Sequence, residues 1–244
     1  MKVFDGVLYN GEQDVLECRL WELADHVDKF VIVEGDKSFT GVAKERAPRE
    51  RFEPWADKII WADFVTTVAP DPWLVERVTR NHLFHMFNVL GATDSDVVTV
   101  CDVDEIWAPW MLEQFSTGWR AILMRHLVFS VHWEAPMEFT AVAGPWGQRT
   151  GTANKMRQKD RYSLPQVYGG WHLGWMGGID RCVSKLSQFS HQELNVGDVE
   201  AKMRDCFERG VFIDGTVLTE KDVAADWPKW VVAGKHPESW RARR

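Results

Sequence analysis

The chain has 244 residues, 45% of them hydrophobic and 27% charged, with 36 acidic against 29 basic side chains and a formal net charge of −7. These proportions exclude a disordered chain, a collagen-like chain and a coiled coil, and they supply enough apolar material for a sizeable core. An acidic chain also lacks the field that gathers polyanions non-specifically, so nucleic acid is not the expected partner.

The N-terminal run Met1-Lys2-Val3-Phe4-Asp5-Gly6 meets an acidic residue too early for a secretory signal. Residues 3–9 read as a first strand. After Asn10-Gly11, the residues Val15, Leu16, Leu20, Leu23 and Val27 recur at helical spacing among Glu12, Glu17 and Glu22. The β-branched run 29–34 is long enough only for a buried strand and stops at Gly35, and residues 58–61 read as a third strand. A second helix is expected from residue 73 to 90, where Leu74, Val78, Leu83, Met86, Phe87 and Leu90 form a broad apolar stripe. Residues 96–101 make another buried strand, which runs into Asp102-Val103-Asp104-Glu105. This order of strands and helices implies an α/β layer fold with a mainly parallel sheet.

Further strands are expected at 120–124, 127–133 and 138–142, followed by a loop-rich stretch from Gly144 to about Leu173. Helices are expected near 182–188 and 199–209, and the tail 227–244 reads as irregular with a basic end. No repeat, low-complexity tract or linker divides the chain, so the reading is a single domain over residues 1–244. No apolar run approaches the ~20 residues of a membrane span, which points to a soluble, unanchored chain. The four scattered cysteines (Cys18, Cys101, Cys182, Cys206) form no CxxC pair and fit buried thiols in a reducing cytoplasm. Fourteen tryptophans stand against three tyrosines. An indole serves a core and equally well the face of a sugar or base.

The sequence 102–105 is the most informative site. It follows a buried strand, and open parallel sheets bind ligands beyond the carboxyl ends of their strands. Two aspartates two residues apart at such an end can both reach a hard divalent ion, and oxygen-only ligation selects Mg²⁺ or Mn²⁺ over zinc. Such an ion is commonly completed by substrate phosphates, so the pattern points to a nucleoside diphosphate whose departing charge it neutralises. The competing structural reading is a cap for a helix starting near Pro109. Ile106-Trp107 weigh against it by fencing the carboxylates with apolar residues that demand a partner cation.

A set of motifs in order along residues 3–195 resembles glycosyltransferase family 17, whose members include β-1,4-mannosyl-glycoprotein 4-β-N-acetylglucosaminyltransferases. They are Asn10-Gly11-Glu12, Leu16 to Leu20, Val27 to Glu34, and Phe39-Thr40-Gly41 with Lys44. Glu76, Arg80-Asn81, Asp102 to Ile106, Gly170 to Leu173 and Lys185 to Glu193 continue the series. The resemblance implies a GT-A-like (Rossmann-like) transferase that depends on Mn²⁺ or Mg²⁺ and inverts the anomeric carbon. Residues 1–110 would form the nucleotide-binding half and 111–244 the acceptor side. A UDP-sugar would be the donor, with N-acetylglucosamine or another hexose transferred, and a saccharide or glycoconjugate hydroxyl would accept it. The chain departs from the pattern in lacking the membrane anchor and stem of Golgi members, and in having Gly174-Trp175 where a Ser-aromatic pair is expected.

The resemblance and the residues together suggest roles. Asp104 is the first choice for direct metal ligation, with Asp102 reaching the ion through water or binding the donor's ribose. Glu105 holds the loop or reaches the sugar. His191 follows an apolar run where GT-A enzymes often place a third metal ligand, and otherwise packs as a hydrogen-bonded histidine. His172 donates to a phosphate or sugar hydroxyl, or is buried in an aromatic cluster. Glu34 accepts from uracil or ribose at the end of its strand. Thr40, Lys44 and Arg80 orient the nucleotide or offset phosphate charge, Arg80 having the alternative of pairing with Asp102 or Glu105.

An inverting transfer needs a general base, for which Glu134, Glu138, Asp180 and Glu193 are candidates, Glu134 slightly ahead. Trp133, Trp146, Trp171 and Trp175 are candidates to stack on a sugar, Trp133 and Trp171 on the acceptor side, with core packing the favoured reading for any one of them. The loop 144–151, with Lys155, Arg157, Lys159 and Arg161, has the composition of a lid over a diphosphate or, equally, of a solvated loop. Three alternatives share these residues: a nucleotide-sugar hydrolase, a transferase acting on modified bases of viral DNA, and a non-catalytic carbohydrate-binding module.

Overall fold

The computed structural model describes residues 1–66 and 69–241, apart from the side chains of 138–140. Its first half follows from alternation along apolar strands. The elements run β1 (Val3–Tyr9), α1 (Gln13–Leu23), β2 (Lys29–Gly35), β3 (Ile59–Phe64), α2 (Pro72–Val89) and β4 (Val97–Asp102). Val3, Val7, Phe30, Ile32, Val97 and Cys101 turn to one face and meet Val15, Leu16, Leu20 and Leu23 of α1. Their neighbours Phe4, Leu8, Val31, Val33, Val98 and Val100 turn to the other face and meet Leu83 and Phe87 of α2. Strands covered on both faces in this way read as unbroken apolar runs. Gly6 lets α2 come close, because a Cβ there would lie 2.6 Å from Phe87 and 2.8 Å from the Thr99 carbonyl oxygen.

β3, β2, β1 and β4 lie side by side and parallel in that order. The second half of the sheet is mixed, which narrows the expectation of a mainly parallel sheet to the first half. β5 (Glu105–Ile106), α3 (Leu112–Ser116), β6 (Arg120–Val128) and β7 (Trp133–Pro145) come next, then α4 (Ala153–Gln158) and β8 (Gln166–Gly174). β7 pairs antiparallel with β4 and β6, β6 runs parallel to β8, and β8 is antiparallel to β5. α5 (Gly178–Gln188) and α6 (Val199–Arg209) pack on the far end, β9 (Thr219–Glu220) adds to β7, and α7 (Lys229–Val232) lies near the C-terminus.

Several expectations are corrected. The three strands expected within 119–143 are two, joined where Phe129 takes the left-handed conformation at φ 65°. The first helix ends at Leu23, and Val27 is buried beyond it. The stretch read as loop after Gly144 contains α4 and the interior strand β8. β8 lacks period-two patterning because its glycines answer to a neighbour: at Gly170, φ +90°, a Cβ would run into the carbonyl oxygen of Ile106. The tail, read as irregular, carries the short α7 and packs onto the domain, with Trp227, Trp230 and Trp240 buried and the Lys229 amide donating to Glu22 at 2.8 Å. The basic end at 242–244 lies outside the described residues. All four cysteines are free and buried. Among the described residues, no helix is long and apolar enough to cross a membrane.

Candidate functional site

From β1 the chain steps outward to β2 and β3, then returns to lay β4 on the opposite side of β1. A parallel sheet opens a crevice at such a reversal, beyond the strands' carboxyl ends. A cavity of about 590 Å³ occupies it, within the usual range of small-molecule sites. Leu8 and Asn10 close one side, and Asp102, Asp104 and Glu105 form its acidic corner. Trp73 and Glu76 enter from the first turns of α2, whose start is fixed by Pro72 and by Asp71 accepting from the Trp73 amide at 3.0 Å. The lining is completed by Arg157, Arg161 and Tyr162, by His172 and Trp175 from the end of β8, and by Lys185 and His191.

The acidic corner is held from beneath by a buried pair. Arg19 of α1 makes two 2.6 Å bonds to Asp5 in β1 and donates at 2.6 Å to the carbonyl oxygen of Glu105. Asp5 also accepts from Thr99 at 2.7 Å and from the Trp107 indole at 2.9 Å. Burial would raise the Asp5 carboxyl, but Arg19 and these donors hold it below the ordinary value.

Above that pair, every carboxylate of the corner meets a cation, and Asp102 and Glu105 share one. Arg157 donates to Asp102 at 2.6 Å and grips Glu105 with bonds of 2.5 and 2.7 Å. Arg80 reaches Asp102 at 3.0 Å, Glu76 at 2.7 Å and Asn154 at 3.0 Å. Asn154 ties α4 to α2 a second time through its amide and Asn81, and this aims Arg157 inward. Lys185, in the last turn of α5, lies 3.0 Å from Asp104 Oδ2, and His172 Nε2 lies 3.8 Å from Asp104 Oδ1. Burial opposes ionisation of Asp102, yet Arg157 and Arg80 hold its carboxyl far below the usual range. Burial likewise opposes ionisation of Asp104, and Lys185 and His172 outweigh it.

These depressed values fix a sign for the effect of pH. A carboxyl whose folded pKa is lowered contributes stability above its unfolded pKa of about 3.9 and loses it as pH falls toward the folded value. Urea midpoints should therefore hold down to about pH 4 and drop steeply below it, and Asp104→Asn should make the acid limb shallower. Equal acid limbs for the two proteins would contradict the pairing.

Among the described residues, no group of three or more His, Cys, Asp or Glu side chains is close enough to hold a metal ion. The expected trio of Asp102, Asp104 and His191 lines one cavity without forming such a cluster. The donor chemistry still suits a hard cation at Asp104, where a carboxylate faces the cavity beside the more open Asp102, whose side chain is 34% exposed. The condition is that Lys185 releases Asp104. His191 stands half-exposed at the rim, edge-on to Trp73 at 4.3 Å and 2.6 Å from Glu193 through Nδ1.

The remaining expected residues divide by position. His172 and Glu105 line the cavity; Glu34, Thr40, Lys44 and Arg80 are not among the described lining residues. Glu34 is fully buried and accepts from the Ala47 amide at 2.8 Å and Arg49 at 2.7 Å, with Lys44 at 3.5 Å. It anchors the loop after β2. Thr40 donates to the Ser187 carbonyl at 2.9 Å, and Arg80 takes the positioning role on Asp102. Glu134 pairs with Arg125 at 3.0 Å, and Arg125 in turn pairs with Asp226 at 3.1 Å, away from the cavity lining. Asp180 sits exposed in the first turn of α5, and the side chain of Glu138 lies outside those described.

Trp133 and Trp146 are core residues, and Trp171 is buried with its indole donating to the Asp226 carbonyl at 2.9 Å. Of the four candidate tryptophans only Trp175 lines the cavity, in the left-handed conformation at φ 64°. The lid is corrected too: Trp146 packs in the core and Arg157 is locked in place. Lys155 pairs with Asp160 at 2.9 Å and Arg157 with Asp102 and Glu105, so two of the four basic residues at 155–161 that a DNA-binding alternative invokes are paired internally.

Sequence reasoning missed Asp5, Arg19 and the placement of Arg157, Lys185 and Trp73. Lys185 did carry a signal, since it opens the motif that ends at Glu193. Arg157 carried none, because it alternates with Lys155, Lys159 and Arg161 in an unremarkable basic run.

The family model described as "Glycosyltransferase family 17" matches residues 1–204. Curated proteins named "Beta-1,4-mannosyl-glycoprotein 4-beta-N-acetylglucosaminyltransferase" from Mus musculus, Homo sapiens and Rattus norvegicus are each 23% identical to this chain. The similarity covers 88% of this chain and 49% of each relative, so the chain spans about half the length of the curated relatives it matches.

Proposed function

The chain belongs to glycosyltransferase family 17, and we propose that it moves a sugar, N-acetylglucosamine or another hexose, from a UDP-sugar to a saccharide hydroxyl with inversion at the anomeric carbon. The observation that carries this reading is the placement of Asp102 and Asp104 with Arg157, Arg161 and Lys185 in one cavity at the crevice between β1 and β4. A Mn²⁺ or Mg²⁺ ion bound at Asp104 would take up the charge that develops on the departing diphosphate.

The chain's own residues supply the rest. Arg80 and Arg157 keep Asp102 ionised and fixed, and Arg157 holds Glu105 so that the loop keeps its shape. Lys185 and Arg161 bring positive charge to the wall where phosphates would lie. Trp175 and Trp73 offer indole faces to the sugar or base. For the general base the geometry favours Glu193 over Glu134: its carboxylate orients His191 at the cavity rim, where the pair can accept a proton from the incoming hydroxyl.

A thermal-shift panel of nucleotide sugars with and without Mn²⁺ tests the proposal. UDP-sugars should raise Tm only when Mn²⁺ is present, corresponding to about 2.7 kcal/mol at a hundred times Kd. A panel in which no nucleotide moves Tm would overturn the reading. Free sugar appearing at the same rate with and without saccharide acceptors would favour a hydrolase instead.

A further inference from the structure

Two of the cations at the acidic corner are locked and the third is not. Arg157 spans Asp102 and Glu105 with three bonds, and Arg80 is shared among Asp102, Glu76 and Asn154. Lys185 holds Asp104 by one 3.0 Å contact, and its ammonium also lies 5.5 Å from the centre of the Trp175 ring. A planar guanidinium held in several directions cannot leave without breaking all of them, whereas an ammonium on a four-carbon stem can pivot. Leu186, the next residue in α5, is fully buried and keeps the helix in place while the lysine side chain swings.

The Lys185 ammonium occupies Oδ2 of Asp104 and His172 stands 3.8 Å from Oδ1, so an ion bound through Oδ2 or through both oxygens has to displace the lysine. An ion arriving alone would have to expel that ammonium into a cavity whose other carboxylates already hold cations: Asp102 and Glu105 hold arginines, Glu76 pairs with Arg80, and Glu12 pairs with Arg181 at 3.0 Å. Separating a largely buried pair without a replacement partner is strongly unfavourable. A nucleoside diphosphate changes the situation, because its phosphate oxygens give the ammonium a new anion a short swing away.

We propose that Lys185 is a resident counter-ion for Asp104, yielding that carboxylate to a divalent ion only when a nucleoside diphosphate enters the cavity. Ion and nucleotide binding are thereby coupled through one side chain, and the coupling acts equally in both directions. The inference rests on the donor site proposed above and adds the residue that makes ion binding conditional.

The test is titration of Mn²⁺, followed by the electron paramagnetic resonance signal of the free ion, against the native protein, Lys185→Met, Lys185→Gln and Lys185→Arg. Without nucleotide, the native protein and Lys185→Arg should bind Mn²⁺ weakly, and Lys185→Met and Lys185→Gln should bind about tenfold tighter or more. Lys185→Gln keeps amide donors for Asp104, so it carries the measurement if the methionine variant fails to fold. Equal affinity across all four proteins would overturn the role given to Lys185. In a separate arm, UDP added to the native protein should tighten Mn²⁺ binding. If that arm alone succeeds, the donor site stands and only the role of Lys185 falls; if UDP has no effect, the donor site itself is wrong and the inference fails with it.

Discussion

Asp104→Asn should weaken UDP binding in the presence of Mn²⁺ by about a hundredfold or more, since a carboxylate's hold on a catalytic divalent ion is worth several kcal/mol and each 1.4 kcal/mol is a factor of ten. Asparagine keeps the shape of the side chain and an oxygen for Lys185, which now stands 3.0 Å from Asp104 Oδ2. The fold should therefore survive near neutral pH, at a lower melting temperature because the charge pairing with Lys185 is lost. Isothermal titration of UDP with and without Mn²⁺ separates the two effects. In the variant the ion should no longer improve nucleotide affinity. An unchanged affinity in the variant would show that the ion is held elsewhere, and the reading of residues 102–105 would have to be abandoned.

Arg19→Met should destabilise the protein by about 3–5 kcal/mol, the loss expected when one partner of a buried ion pair is removed. Both Arg19 and Asp5 are fully buried, and among the described residues Asp5 would be left with Thr99 and Trp107 as donors. The denaturant midpoint should fall with little change in the slope of the transition. The double variant Asp5→Asn with Arg19→Met should recover part of the loss, because it removes the stranded charge as well as its partner. A second consequence reaches the cavity. Arg19 donates to the Glu105 carbonyl oxygen, so its removal frees the backbone beneath the acidic corner and should weaken UDP and Mn²⁺ binding in protein that is still folded. A native midpoint for Arg19→Met would contradict this account of how the loop is held.

The parallel half of the fold was legible because burial on both faces leaves a direct trace: runs such as residues 29–34 and 96–101 are near-continuous apolar stretches of strand length. The acidic corner was legible for a related reason, as charged residues that follow such a run fall at the sheet's carboxyl edge. The same reasoning misplaced Glu34. It also ends a buried strand, but at β2 rather than beside the crevice, and its carboxylate is filled by Ala47, Arg49 and Lys44. Strand order decides between the two carboxylates, and order is set by long-range pairing that local sequence does not encode.

β8 was missed on different grounds. Its Gly-Gly-Trp-His-Leu-Gly segment reads as a loop, and only the approach of β5 against Gly170 explains why a strand needs those glycines. The cations were the hardest to place. Arg157 is distinguished from its basic neighbours by the inward face of α4, which buries it while Lys155 on the same helix stays exposed, and Arg19 from a surface helix residue by Asp5 standing opposite it inside the sheet. A charge in an otherwise apolar strand was the one available hint of that pair.

The central claim is that the crevice between β1 and β4 receives a nucleoside diphosphate whose divalent ion is held by Asp104. The most direct test is a crystal soaked with MnCl₂ and UDP, with manganese located by its anomalous scattering. The account predicts a manganese peak beside the Asp104 carboxylate, the diphosphate lying between Asp102 and Arg161, and Lys185 turned from Asp104 to a phosphate oxygen. A diphosphate bound outside this cavity, or one bound within it while Asp104 stays paired with Lys185 and free of manganese, would contradict it.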